Sequence, residues 1–282
     1  MITHKRRNLL IEKILPGILL AIVVMWAFFP IVNAIIGSLK MPLHIWDFPP
    51  RFFGPFYSLT NYQELVKDWP QYFGNLVNSL IVTSGTALVV ILCSIFGAYA
   101  FSRFSHRLVR MSTLFTIIIR MIPPIIVVIP LFPIFNTFGL VDKHITLIML
   151  YAAFMVSITT LLMKTFVDDV PVSLEEAALI DGCSRFQAFL KITIPLSAPG
   201  IVAAVIFTAI FAWNEYLFAF IFTSRRAATA PLILSEFMGS FMGVEWGMLL
   251  AAAVIHLIPM LILTWMVQSY LIKGMSFGAV KQ

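Results

Sequence analysis

A chain of 282 residues can form one large domain or two small ones, but its composition, 60% hydrophobic and 11% charged, narrows the class before any motif is read. A water-facing domain carries about 25% charged residues. With a mean hydropathy of +0.97, this chain cannot be a soluble enzyme, nor a disordered or fibrous protein. The net charge of +6, from 19 Lys and Arg against 13 Asp and Glu, is scattered along the chain, so it reports membrane sidedness and not nucleic-acid binding.

Spans are expected where about 20 residues pass without charge, enough to cross a ~30 Å hydrocarbon core. The stretch between Lys13 and Lys40 predicts a first helix at 15–37. Its basic start, His4-Lys5-Arg6-Arg7, also resembles a signal peptide, with Val32-Asn33-Ala34 as a loose cleavage site. A signal's apolar core runs about 7–15 residues, and the longer run here favours a retained helix. The charge-free stretch from Asp68 to Arg103 predicts a second helix at 77–101. A third, 111–137, carries Arg120 and the prolines 123, 124, 130 and 133, which free carbonyls and predict a bend. Helices at 145–165, 198–223 and 247–271 complete the count, the fifth containing Glu215. The fold class is an all-α membrane protein with six transmembrane helices.

Lys and Arg in the loops orient these spans. With the N-terminus inside, twelve fall on the inner side and six on the outer, Arg120 lying within a helix. Both termini are therefore expected in the cytoplasm. Cys93 and Cys183 are too few for a disulfide framework and lack metal-ligand spacing.

The loop between helices four and five, 166–197, gathers Asp168, Asp169, Glu175, Glu176 and Asp181. Ser173 and Glu176 have capping-box spacing after Pro171, and Gly182 suits the residue that ends a helix; Ser184 and Gln187 form a second box, opening a helix expected to stop before Pro195. Ala178, Phe186, Phe189 and Leu190 give this helix-turn-helix an apolar surface. The residues by themselves fit either a connector on the membrane surface or a docking element for a cytoplasmic partner.

Glu176-Ala177-Ala178, three residues, Gly182, nine residues, Ile192, one residue and Ile194-Pro195 resemble the EAA loop of ATP-binding-cassette importer permeases. That pattern is Glu-Ala-Ala-x3-Gly-x9-Ile-x-Leu-Pro, and the one departure is Ile194. The segments Ala212 to Ala219 and Lys273 to Lys281 are similar to the sugar-importer branch, in particular to the second permease subunit of maltose-type transporters. The resemblance implies a cytoplasmic coupling loop, 171–195, seated in a cleft of a separate ATPase through Glu176, Ala177, Ala178, Asp181 and Gly182. It also implies a second permease subunit, two ATP-binding-cassette ATPases that carry ATP and Mg, and a periplasmic or lipid-anchored solute-binding protein. A bacterial inner membrane would then house the chain, and a sugar, oligosaccharide or polyol would be the cargo.

The chain contains no Walker A signature and no Gly-x-Gly-x-x-Gly, and its five His are dispersed, so no catalytic constellation, cofactor or metal site is expected in it. Ionisable groups inside spans mark a pair or a pathway. Arg120 sits about 14 Å and Glu215 about 25 Å from the inner ends of their helices at 1.5 Å per residue. Asn214 and His256 join them as candidate pathway or subunit-contact residues. Trp46, Trp69, Trp213, Trp246 and Trp265 suit an interfacial belt. Gly239, Gly243 and Gly247 have small-xxx-small spacing, and the outer segment Pro231 to Glu245 occupies the position of a loop that this subunit type can insert into the binding protein. The alternative class is a secondary transporter or channel; the first wants paired acids at the midplane or repeated halves, the second a selectivity ring, and neither pattern is visible.

Overall fold

The computed structural model describes residues 2–52, 54–239 and 243–278, with side chains described from 15 to 268 within those ranges. In chain order the helices are α1 (Ile2–Leu39), α2 (Thr60–Asp68), α3 (Gln71–Arg103), α4 (Arg107–Ile119), α5 (Pro124–Thr137), α6 (His144–Asp168), α7 (Val172–Ile180), α8 (Arg185–Ala188), α9 (Ile194–Leu196), α10 (Ala198–Asn214), α11 (Leu217–Phe222), α12 (Ala230–Glu236) and α13 (Trp246–Gly278). A π-turn, Phe189–Thr193, joins α8 to α9. Among the described residues, four helices are long and apolar enough to cross a membrane, or up to six if each of two bent pairs is one span.

The chain divides into two units. The first comprises residues 1–70 and 234–258. In it α2 docks on the end of α1: the Asn61 amide donates to the Ser38 and Lys40 carbonyls, each at 2.7 Å, and Gly247 lies so close to Asn61 that no Cβ would fit. Trp46 meets Trp246 edge-on at 5.8 Å, and Trp69 meets Phe237 at 4.7 Å. None of the apolar window of α1 is buried, as lipid-facing side chains require.

The second unit, residues 71–233 and 259–282, has the α3–α6 pair as its frame. Ser79, Val82, Thr83, Thr86, Val90, Ser94 and Ala98 recur every three or four residues and bury one face of α3. Gly85 abuts Ile148 and Gly97 abuts Thr160, close approaches that only a missing side chain allows. α10 lies across both helices, with Gly200 against Phe166. A core of Val82, Val128, Leu147, Leu150, Tyr151, Ala212, Phe218, Ala219 and Phe222 joins α3, α5, α6, α10 and α11.

Two expected spans are not continuous helices. The third, 111–137, is split into α4 and α5, inclined at 95°, because Pro123 and Pro124 remove the donors that would continue the ladder. The fifth, 198–223, stops at Asn214 and restarts at Leu217, with Glu215 extended at ψ 129. Trp213 is not an interfacial tryptophan: only 1% exposed, it fills the core of the second unit. Residues 240–242 of the outer segment and 279–281 of the chain ending lie outside the described residues.

Candidate functional site

The loop between α6 and α10 follows the local helix signals of its sequence with two departures. α7 begins at Val172 with Pro171 before it, and no side chain caps it. The expected Ser173 box does not form, because the Pro171 carbonyl already receives the Leu174 amide and places Ser173 inside the first turn. The other signals fold as their residues dictate. Gly182 takes φ +87, Gly182 N–H donates to the Leu179 carbonyl at 3.1 Å, and Cys183 N–H donates to that of Ala178 at 2.9 Å. This is the paired closure of a Schellman turn. Ser184 and Gln187 bond reciprocally at 3.2 and 2.8 Å. The second helix does not stop before Pro195: widening to a π-turn over Phe189–Thr193 lets the chain stay helical, with Pro195 in the first turn of α9.

The loop has two faces. Glu176, Ala177, Asp181 and Gly182 are exposed, together with Leu179 and Ile180, the latter 87% exposed. Ala178, expected with them, turns inward, and Phe189, expected on the apolar surface, is buried against Tyr99 and Phe96. Ala178 lies three residues after Glu175 and so shares its inward face.

Glu175, not singled out in the sequence, is the centre of the inner face. Its Oε1 accepts from Arg103 Nε at 2.9 Å and from Thr193 Oγ1 at 2.8 Å, and its Oε2 accepts from the Tyr99 hydroxyl at 3.1 Å. Arg103 Nη2 also donates to the carbonyls of Val167 and Val170 at 3.1 and 2.8 Å, closing the end of α6. Both charged side chains are more than nine-tenths buried. Burial raises the Glu175 carboxyl, but the bonds from Arg103 and Thr193, the charge of Arg103 and the bond from Tyr99 outweigh it and hold the group below the usual carboxylate range. Arg103 Nη1 extends the network to Ser102, which bonds Asp168, itself paired with Lys164. No local signal separates Glu175 from the other acidic residues of the loop, because its partner Arg103 lies 72 residues away.

Within the spans, Arg120 and Glu215 do not pair. Arg120 sits at the end of α4, donates to the Phe154 carbonyl at 3.3 Å and lies 4.4 Å from the Phe154 ring centre. Glu215 accepts from the amides of Phe218 at 3.0 Å and Ala219 at 3.4 Å, so its charge sits at the positive end of α11. Phe154 also packs on Phe211 and on Phe218, whose amide bonds Glu215. Asn214 is exposed and bonds the Ile210 carbonyl of its own helix. His256 is buried in the first unit, on α13.

At the opposite end of α6, Asp142 was also missed. It takes φ 61, and its carboxylate accepts amide hydrogen bonds from Ser224, Arg225, Arg226 and Ala227 at 3.0–3.3 Å. Partial burial raises this carboxyl, yet the bonds from Ala227, Arg226 and Ser224 prevail and hold it at about 2.

The sequence profile described as binding-protein-dependent transport system inner membrane component matches residues 90–276. Over 254 residues the chain is 31% identical to the sulfoquinovosyl glycerol transport system permease protein SmoH of Agrobacterium fabrum, covering 90% of this chain and 88% of the relative. Over 226 residues it is 33% identical to the trehalose/maltose transport system permease protein MalG of Thermococcus litoralis, covering 79% and 81%. A solved bacterial ABC transporter involved in import of the acidic polysaccharide alginate shares the fold at TM-score 0.75 and 22% identity, covering 92% of this chain and 96% of the other. The chain therefore belongs to the inner membrane components of binding-protein-dependent transport systems, and it is a permease of an ATP-binding-cassette importer, whose ATP hydrolysis occurs in a separate subunit.

Proposed function

We propose that this permease forms half of the translocation pathway for a sugar, oligosaccharide or polyol and takes its drive from an ATPase seated on the outer face of α7. The observation that carries the docking reading is the exposed run Glu176, Ala177, Asp181 and Gly182, closed by a turn that leaves Leu179 and Ile180 uncovered by the chain itself. Two exposed carboxylates beside small and apolar side chains suit a cleft with a basic rim and an apolar floor. A second, different permease completes the pathway, two ATPases bind ATP and Mg, and a periplasmic or lipid-anchored solute-binding protein delivers the cargo. The sugar class rests on relatives that transport sulfoquinovosyl glycerol and trehalose or maltose. The basic residues orient both termini to the cytoplasm, leaving the Asp142 loop outside.

The test is co-purification of the tagged chain from its own host. A second permease, an ATPase and a solute-binding protein should be recovered together, and thermal-shift screening of the binding protein against sugars and polyols should identify the cargo. Stabilisation by amino acids or metal ions alone would overturn the sugar reading. A reporter fused to the C-terminus that is active only in the periplasm would overturn the orientation.

A further inference from the structure

We propose that Glu175 and Glu176 divide the work of the loop: Glu176 meets the ATPase, while Glu175 is a positioning residue that clamps α7 to α3 and α6 through Arg103. The inference rests on the docking reading above. Its basis is independent of what docks, because Glu175 faces inward and every bond it makes is within the chain.

One guanidinium serves three elements. Arg103 belongs to α3, bonds the Val167 carbonyl of α6 and the Val170 carbonyl just past its end, and holds Glu175 of α7. The planar fork of Arg makes these bonds together, which a Lys ammonium could not reproduce. Thr193, in the π-turn, grips the same carboxylate from the second loop helix, so both loop helices are pinned at one point. Tyr99 adds a bond one turn before Arg103 on α3. A displacement applied to the outer face of α7 is therefore delivered to the ends of α3 and α6 as a rigid movement. Without the clamp, α7 could move with its partner while the spans stayed behind.

One native cysteine allows a direct measurement. Cys93 on α3 is exposed and carries one spin label; Ser173→Cys on the exposed side of α7 carries the other, in a Cys183→Ser background with partner chains free of cysteine. Pulsed electron–electron resonance is recorded on the full complex, nucleotide-free and trapped with ATP and vanadate. The clamp predicts the same distance in both states for the otherwise unaltered chain. Glu175→Gln should shift or broaden it by about 2 Å or more on trapping, the scale of a helix displacement, while the ATPase still co-purifies. Arg103→Lys should do the same with folding less at risk, and Thr193→Val should give a smaller change. An unaltered distance in both Glu175→Gln and Arg103→Lys overturns the clamp, as does a shift of that size in the unaltered chain. Glu176→Lys separates the two readings: it should lose the ATPase, and retention of the ATPase in that variant overturns the docking reading while leaving the distance result to decide the clamp.

Discussion

Gly182 and Asp142 are single positions at which the backbone leaves ordinary conformations, and each makes a prediction that does not depend on the other. At Gly182 a Cβ would meet nothing within 4 Å, so the cost of a side chain is the φ of +87 alone. For most L-residues that cost is about 1–2 kcal/mol, whereas Asn tolerates it. Uptake in whole cells should therefore fall in the order Gly182, Gly182→Asn, Gly182→Ala, with Gly182→Asp lowest because it adds charge to the proposed docking face. Equal uptake for Ala and Asn would show that the turn is not what matters. Asp142 pins the segment 224–227 through its carboxylate, and Asp142→Asn removes the charge from those bonds, a loss of about 1–3 kcal/mol. Because the folded carboxyl is held at about 2, below its ordinary value, its stabilising contribution is present above that ordinary value. It is lost as pH falls from about 4 towards 2. The Tm difference between wild type and Asp142→Asn in detergent should hold steady through neutral pH and shrink below about pH 4. A difference that grew on acidification would refute this account.

At the scale of elements, the breaks in the helices carry the polar chemistry. The Glu215 carboxylate stands at the start of α11, so Glu215→Leu leaves the Phe218 and Ala219 amides without an acceptor and should lower stability by about 1–3 kcal/mol per unpaired buried donor, read as a lower Tm. Glu215→Gln, which keeps one acceptor, should cost less. Arg120→Ala loses the contact with Phe154 and should weaken assembly or uptake. Since the two charges bond different groups, a double-mutant cycle on Arg120→Ala and Glu215→Gln should be additive to within about 0.5 kcal/mol, and a larger coupling would restore the ion pair. These elements also show what the sequence could disclose. Lipid forbids charge over a span's length, so long helices at α3 and α6 were legible, although α3 starts at Gln71, ahead of the expected residue 77, and Pro123 and Pro124 announced the bend at α4. The break at Asn214-Glu215 carries no proline or glycine; its one signal was a charge where none should be, and that signal could not say whether the partner was Arg120 or an amide. In the loop, Gly182 and the Ser184 box were legible as local chemistry. The inward turn of Glu175 was not, because its partner Arg103 lies 72 residues away and had value in the sequence only as a mark of sidedness.

At the scale of the molecule, the described spans leave two kinds of surface, and the bilayer can cover only one of them. The apolar window of α1 has no buried residue, and its exposed large side chains are Leu, Ile, Val, Met, Phe and Trp, which acyl chains solvate well. The turn between α4 and α5 is different: Met121 is 79% exposed, and around it the helical ladder is interrupted from Arg120 to Pro123. Irregular backbone at membrane depth survives only against protein or a water-filled path, and exposed Asn214 in α10 meets the same requirement. The second permease proposed above would satisfy it by covering these positions, whereas lipid alone would not. Purified alone, the chain should therefore show a lower Tm than in complex with the proposed second permease. Cysteines placed at Met121 and Asn214, in a chain lacking Cys93 and Cys183, should react with maleimide faster alone than in the complex, while one at Trp26 on α1 should react alike in both. Equal protection at Met121 and Asn214 with and without the partner would mean that lipid or the chain itself covers the break. The site of subunit contact would then have to be sought on another face.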